Sequence, residues 1–406
     1  MVATGMEKMQ RYGVLVLLLL LNILNYVDRN ALAGVSPLLK EAFQLSDASI
    51  GALGSAFLLT YTLVAVPFGI WSDAWKPQKV AALGVVIWSL ASVMTSTAAS
   101  ESQLFVWRSL VGVGEAAYVA TAGTLIAQRF ANEQRSKMLG IFNLGLPLGA
   151  ALGVVLGGML GEKFGWQSVF VWIGMPGFFL AVFAWLIRDG AESKASGRGT
   201  TDEQRFDWHR FTGTLGWPYV LVVVGYVGIS YCFGAVINFL PLYMTRILHF
   251  SLTSAATYSG AIIVVAGFLG APIGGWIGDR WFRHRQGGRG YTLLVGCLAS
   301  AVLMWLGVST GSTAMFGLSA FFMLWHVGVA ASMVFDTTPR LVWNSATAVA
   351  MLFMHLFGDV PSSAITGLIS DHYGLVFAFS LLPIAMIIGG LAFGLSGYLQ
   401  AGRSAK

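Results

Sequence analysis

Twelve stretches of this chain are long and apolar enough to cross a lipid bilayer, and that leaves few folds open to it. A spanning helix needs about 20 mostly apolar residues. By that measure the expected spans are 12–34, 49–72, 80–98, 103–128, 138–161, 166–187, 216–242, 255–278, 291–309, 314–335, 344–368 and 374–398. Composition agrees: of 406 residues, 56% are apolar and only 10% are charged, where a soluble domain carries roughly 25% charged residues. The expected class is an all-α membrane protein. The first apolar run, from Tyr12 to Leu24, continues into polar helical sequence without a small-residue cleavage site, so no cleaved leader is expected.

Several chemistries are excluded by the motifs present. Cys232 and Cys297 both lie in apolar runs and read as small hydrophobes, with no disulfide or metal pairing expected. No nucleotide loop, zinc motif or serine elbow is present, so ATP-driven transport by this chain, enzymatic activity and a bound cofactor are not expected.

Connections between spans are short except from Arg188 to Trp217, a segment rich in charge, Gly and Ser at the midpoint. The expected organisation is an N-terminal six-helix bundle (1–187), a cytoplasmic linker (188–215) and a C-terminal six-helix bundle (216–406). Lys and Arg set the orientation. With the N-terminus inside, inner loops hold Lys8, Arg11, Lys76, Lys79, Arg129, Arg135, Lys137, Arg280, Arg283, Arg285, Arg289, Arg340, Arg403, Lys406 and five more in the linker. Outer loops hold only Lys40, Lys163 and Arg246. Both termini are therefore expected in the cytoplasm. The net charge of +6 reads as topology and contact with anionic lipid rather than nucleic-acid binding.

The two halves share a device. Gly69-Ile-Trp-Ser-Asp73-Ala-Trp-Lys76-Pro-Gln-Lys79 follows the second span, and Gly275-Trp-Ile-Gly-Asp279-Arg280-Trp-Phe-Arg283-His-Arg285 follows the eighth. Each sets Gly and Asp four apart at a cytoplasmic helix end, then basic residues. The Gly is expected to admit a close helix, and the Asp to cap a helix or pair with the basic side chains. Repetition at equivalent places indicates duplication. This pattern resembles the signature loop of the major facilitator superfamily. The second copy, through Asp279, Arg280 and Arg283, fits well; the first departs at Ala74 and Lys76. Arg108-Ser-Leu-Val-Gly112-Val-Gly114-Glu115 resembles that family's fourth-helix motif, and Gly145, Gly149, Gly153 and Gly157 its fifth-helix motif. The resemblance implies a major facilitator fold of twelve transmembrane helices in two pseudo-symmetric bundles, working by alternating access. The glycines also have a purely structural use, since small residues four apart let membrane helices pack tightly.

Ionisable residues within spans are costly and usually functional. The first span carries Asn22, Asn25, Asp28 and Arg29. Asn22, Asn25 and Arg29 share a helix face, and Asp28 points about 100° away. The fourth span carries Arg108 and Glu115, seven residues apart on one face and about 10 Å apart along the axis. Pairings of Asp28 with Arg108 and of Arg29 with Glu115 are both within reach, and spacing does not choose between them. One reading is a charge relay, in which a substrate anion competes for an Arg and frees a carboxylate to take a proton. The other is a fixed pair holding two helices in register. In the second half His326 stands in the tenth span, and His355 and Asp359 stack four apart in the eleventh, beside a kink at Pro361. They are candidate substrate-binding or gating residues, with a packing role as the alternative. The histidines lack further ligands at zinc spacing, so no metal site is expected.

Further stretches narrow the resemblance. Asn25-Tyr-Val-Asp28-Arg29, Val111-Gly-Val-Gly-Glu115-Ala, Gln134-Arg135-Ser-Lys137-Met-Leu, Leu146-Pro147-Leu-Gly149 and His355-Leu-Phe-Gly358-Asp359-Val-Pro361-Ser together resemble the spinster-like branch. That branch is associated with export of lysolipids and sphingosine phosphate. The resemblance implies an amphipathic or anionic small-molecule substrate, protons as coupling ion, Asp28 and Glu115 as proton-linked carboxylates, and Arg29 for head-group binding or gating. Short polar termini suggest a bacterial member, a monomer in the inner membrane. The organic anion:cation symporter branch shares the Tyr-x-Asp-Arg first helix and fourth-helix Glu, which leaves small sugar acids as the alternative cargo. Aromatics in the seventh and tenth spans (Tyr226, Tyr231, Phe233, Phe239, Phe321, Phe322 and Trp325) suit an apolar wall for a lipid tail. A scramblase or a non-transporting sensor is the minor alternative.

Overall fold

The computed structural model describes residues 5–130, 132–187, 216–339 and 342–404. The expected linker, 188–215, lies outside them. Among the described residues the regular structure is helical throughout, with twelve helices long and apolar enough to span a bilayer. Helices are the open-chain solution in hydrocarbon, because each satisfies its own backbone amides where no water can.

We number the spans α1 (Gly5–Phe43), α2 (Asp47–Ala74), α3 (Pro77–Thr95), α4 (Glu101–Ala127), α5 (Met138–Phe164), α6 (Trp166–Trp185), α7 (Trp217–Arg246), α8 (Leu252–His284), α9 (Gly288–Thr310), α10 (Thr313–Thr337), α11 (Ala346–Tyr373) and α12 (Leu375–Ser404). Large apolar side chains also crowd the outside, such as Phe179 (69% exposed) and Leu391 (55%), as a lipid-facing surface requires. The chain is an integral, multi-pass membrane protein.

Two compact units make up the chain, one of Met1–Gln44 with Ala56–Asp202 and one of Leu45–Ser55 with Glu203–Lys406. In the first unit, α1 lies against α5 and α6, and α3 against α4 and α6. The α1–α5 packing explains the glycine ladder. A Cβ on Gly149, Gly153 or Gly157 would come within 2.4, 2.4 or 2.6 Å of the carbonyl oxygens of Ile23, Val27 and Ala31. Backbone meets backbone along the two helices, as small residues at four-residue steps permit. A core of Leu18, Phe57, Trp88, Tyr118 and Phe130 fills the remainder.

In the second unit, α12 lies against α7 and α9, and α7 against α11. Tyr243, Phe316 and Phe379 form its aromatic centre, with ring centroids 4.6 to 6.4 Å apart.

The duplication shows in backbone detail. The turn from α5 to α6 passes through Gly165 (φ 85°, ψ 158°), and the turn from α11 to α12 through Gly374 (φ 88°, ψ 154°). That conformation is essentially closed to residues with a Cβ. The helices before these turns are both interrupted: α5 breaks between Asn143 and Gly145, and α11 widens into a π-turn at His355–Asp359. The bend expected from Pro361 is thus a π-turn, with the proline in the first turn of the helix that follows, where its missing N–H costs nothing.

Candidate functional site

Both charge pairings open to α1 and α4 form, side by side in the first unit. Arg29 donates to Glu115 Oε2 from Nη2 at 3.1 Å and from Nε at 3.3 Å. Arg108 Nη1 donates to Asp28 Oδ1 at 3.4 Å, and its Nη2 reaches the Arg29 carbonyl at 3.5 Å. Asp28 and Arg29 are neighbours on α1, and Arg108 and Glu115 are two turns apart on α4. The arrangement is a crossed double clamp.

The two clamps differ in character. Asp28 and Arg108 are each 1% exposed, so their pair is sealed. Glu115 is fully buried, but the Arg29 side chain keeps 19% of its surface open. The Arg29 guanidinium lies 5.1, 4.9 and 4.8 Å from the ring centroids of Tyr26, Phe57 and Tyr61. Ring faces attract the cation by about 0.5–2 kcal/mol each. This box holds the charge in place without consuming all its donors.

Polar capacity is left over at the same spot. Glu115 Oε1, Arg108 Nε and both polar atoms of the Asn25 side chain are buried without a hydrogen-bond partner. Asp28 Oδ2 likewise completes no hydrogen bond of regular geometry, although the Ser92 hydroxyl is beside it. Such atoms cost about 1–3 kcal/mol each when left unsatisfied. A buried cluster of this kind has spare hydrogen-bonding capacity for a proton or a polar ligand group.

The second unit carries a smaller polar set. His355 Nδ1 and Asp359 Oδ2 are 2.7 Å apart across the π-turn of α11. π-turns inside helices recur at functional sites. His326 does not join that pair; its Nδ1 meets the Met323 carbonyl at 2.8 Å, and its ring stands edge-on to Tyr226. Of the seven aromatics expected to form an apolar wall, Phe321, Phe322 and Trp325 cluster with one another and Phe239 is fully buried.

The repeated Gly–Asp motif differs from its expected form. Asp279 pairs with Arg289, at 2.7 Å, and Arg289 also grips Asp336 at 2.8 Å. Arg280 lies 5.9 Å from the Trp276 ring and Arg283 is exposed. Neither Gly69 nor Gly275 meets a close helix among the described residues: a Cβ on either would find nothing within 4 Å. The close approach on α8 is made one residue earlier, at Gly274, where a Cβ would lie 2.6 Å from Trp325. One residue turns the face by about 100°, so the motif glycine looks away. The side chain of Asp73 lies outside the described residues.

The chain matches the Major Facilitator Superfamily over residues 18–358. It belongs to that superfamily. It is 27% identical over 399 residues to protein spinster homolog 1 of Xenopus tropicalis, covering 91% of this chain and 74% of the relative. It is 28% identical over 419 residues to the sphingosine-1-phosphate transporter SPNS2 of Mus musculus, covering 92% and 74%. Among solved structures it resembles a bacterial homologue of spinster in an inward-facing, occupied conformation, with TM-score 0.80, 23% identity and 97% of each chain covered. A D-xylose–proton symporter shares the fold at TM-score 0.73 and 14% identity, over 94% and 97% of the two chains.

As a member of that superfamily, similar to spinster proteins, the protein is a transporter and not an enzyme. Two features of this facilitator were not read from its sequence. One is the box of Tyr26, Phe57 and Tyr61 around Arg29; Tyr26 stands in the Tyr-x-Asp-Arg stretch, but aromatic residues are common in apolar spans, so nothing marked Phe57 and Tyr61 as its companions. The other, in the second unit, surrounds Asp47, which is 1% exposed. Arg246 donates to both its oxygens at 2.7 Å, and the Ser370 hydroxyl adds a third bond at 2.5 Å. The Asp371 carboxylate accepts the backbone N–H groups of Asp47 and Ala48 at 2.7 and 2.8 Å, capping the start of α2. The signal was an acidic residue at a helix start and a basic one at a helix end, which is ordinary.

Proposed function

We propose that this transporter moves an amphipathic anion, of the lysolipid or sphingosine-phosphate kind, by proton-coupled alternating access. The Arg29–Glu115 pair carries this reading. It joins a partly open cation to a buried carboxylate that still has one unused oxygen. An anionic head group that takes Arg29 from Glu115 leaves the carboxylate buried and uncompensated. Burial then favours its protonated form. Release of the anion reverses the exchange. Substrate and proton occupancy are linked through one shared guanidinium.

The Asp28–Arg108 pair would keep α1 and α4 in register while that exchange proceeds, with Asp28 as a second proton acceptor. Asn25 would offer its unpartnered amide to the same head group. His326, His355 and Asp359 would contribute binding or gating contacts from the second half. The motif residues Gly69, Asp73, Gly275, Asp279, Arg280 and Arg283 would act in the conformational change. The similarity to a sphingosine-1-phosphate transporter supports an amphipathic cargo. The positive charge on alternate connections supports a cytoplasmic-membrane protein with both termini inside; it would function as a monomer.

Transport into proteoliposomes at several pH values tests this reading. Wild-type transport should respond to an imposed pH gradient. Glu115→Gln and Asp28→Asn should each abolish that response while the protein remains folded. Unchanged pH dependence in both variants would sink the coupling scheme. Counterflow with small sugar acids but not with lysolipids would replace the amphipathic cargo with a small organic anion.

A further inference from the structure

The second unit contains a groove that the transport scheme does not use. It lies between α7, α11 and α12, with a cavity volume of about 410 Å³. Its origin is local. A Cβ on Gly228 would sit 2.6 Å from the Ala385 carbonyl oxygen, so α7 and α12 touch backbone to backbone there. Gly228, Ala378 and Ala385 are too small to fill the space beside that contact. Volumes of about 300–1,000 Å³ are typical of small-molecule pockets.

The lining indicates the occupant. Among the described residues, no charged side chain lines the groove. Its rim carries Val224, Ile384 and Ile388, exposed by 40, 52 and 54%. These residues lie inside membrane spans, where the surrounding medium is lipid hydrocarbon. Along α12 the lining runs from Ala378 to Ile388, about 15 Å at 1.5 Å per residue. That is the depth of one leaflet of a hydrocarbon core about 30 Å thick.

One polar group breaks the apolar wall. Thr366 is 1% exposed, lines the groove, and its Oγ1 has no hydrogen-bond partner of regular geometry, although the Tyr231 hydroxyl is nearby. Thr366 lies seven residues before the end of α11 at Tyr373, about 10 Å along the axis. On α12 the same level is reached near Leu382, so Thr366 stands about 6 Å inside the mouth of the groove at Ala378, where a seated glycerolipid has its ester carbonyl as the acceptor to offer.

We propose that this groove binds one acyl chain of a bilayer glycerolipid, whose ester carbonyl accepts a hydrogen bond from Thr366 Oγ1. The lipid is a resident of the membrane and not the cargo. The site shares no residue with the Asp28, Arg29 and Glu115 cluster.

The test is photolabelling of full-length protein in vesicles of phosphatidylethanolamine and phosphatidylglycerol. The probe is a phosphatidylglycerol with a diazirine in one acyl chain, with adducts mapped by mass spectrometry. Adducts should concentrate on 224–231 and 378–388, about tenfold above the exposed apolar surface of α6, a ratio equivalent to ~1.4 kcal/mol. Ala385→Trp, which fills the groove, should remove the excess. Thr366→Val, which keeps the shape, should lower it about three- to tenfold, as expected for one lost hydrogen bond. Equal labelling of the groove and α6 overturns the proposal, as does wild-type labelling in the threonine variant, which holds even where the tryptophan variant fails to fold. Competition by excess lysolipid and not by diacyl lipid would also overturn it, by assigning the groove to cargo. Lipid retention is read without transport, so this result stands apart from that of the coupling scheme.

Discussion

Arg29 on α1 and Arg108 on α4 each reach a carboxylate on the other helix, and their surroundings separate their roles. Arg108 is enclosed with Asp28. Breaking a buried pair by removing one partner costs about 3–5 kcal/mol, because the other charge is left uncompensated. Arg108→Ala should therefore lower the melting temperature in detergent markedly, and adding Asp28→Asn should restore much of the loss. Arg29 is partly open and lies among three rings. Arg29→Lys keeps the charge and loses the flat, delocalised face that stacks on them. It should fold normally and weaken substrate affinity by about tenfold, or ~1.4 kcal/mol, measured as KM in the transport assay. The spacing on α1 and α4 made these four residues legible as a group. It did not make the pairing legible, because two helices can present the same faces at different rotations. The Tyr26, Phe57 and Tyr61 box was illegible for a related reason: one ring comes from the same helix and two from α2, and only tertiary packing brings them together.

Within single helices and turns, glycines divide by what surrounds them. Gly374 has no atom within 4 Å of a Cβ position but sits at φ 88°. Gly374→Ala should cost about 1–3 kcal/mol through backbone strain alone. Gly153→Ala should cost a similar amount by overpacking, since its Cβ would press on the Val27 carbonyl. Gly69→Ala has neither penalty on a helix and should be neutral or slightly stabilising. Melting curves of the three variants test the ordering. The fifth-span ladder was readable from four-residue spacing. The repeated Gly–Asp loop was misleading about Gly275, because a matching motif does not report which way a helix face turns.

The paired Gly–Asp loops, the matching glycine turns and the interrupted α5 and α11 all repeat one plan in two units of the molecule. Residues 45–55 count with the second unit, although from Asp47 onward they are the first turns of α2. Asp47, held by Arg246 and Ser370 and capped by Asp371, fixes that segment. Arg246→Ala should raise amide hydrogen exchange across 45–55 selectively; an unchanged exchange pattern would show that helix packing alone holds it. Topology has its own test. Cys232 and Cys297 are buried at 0 and 2%, so the wild type should resist a membrane-impermeant maleimide. A cysteine introduced by Ser404→Cys should react in inside-out vesicles and not in intact cells.

The membrane class, the twelve spans and the superfamily could all be read along the chain, because each rests on local composition or on motifs a few residues long. Hydrocarbon imposes the helix, and about 20 apolar residues suffice to announce it. The charges that cannot face lipid were located in the same way. Three other features waited on the packing of helices: which carboxylate each arginine takes, the turn of Asp279 to Arg289 rather than to the arginines beside it, and the groove that opens next to Gly228. These depend on the rotation and separation of helices distant in sequence. A shift of one residue in register, or about 100° of rotation, would have reassigned each of them.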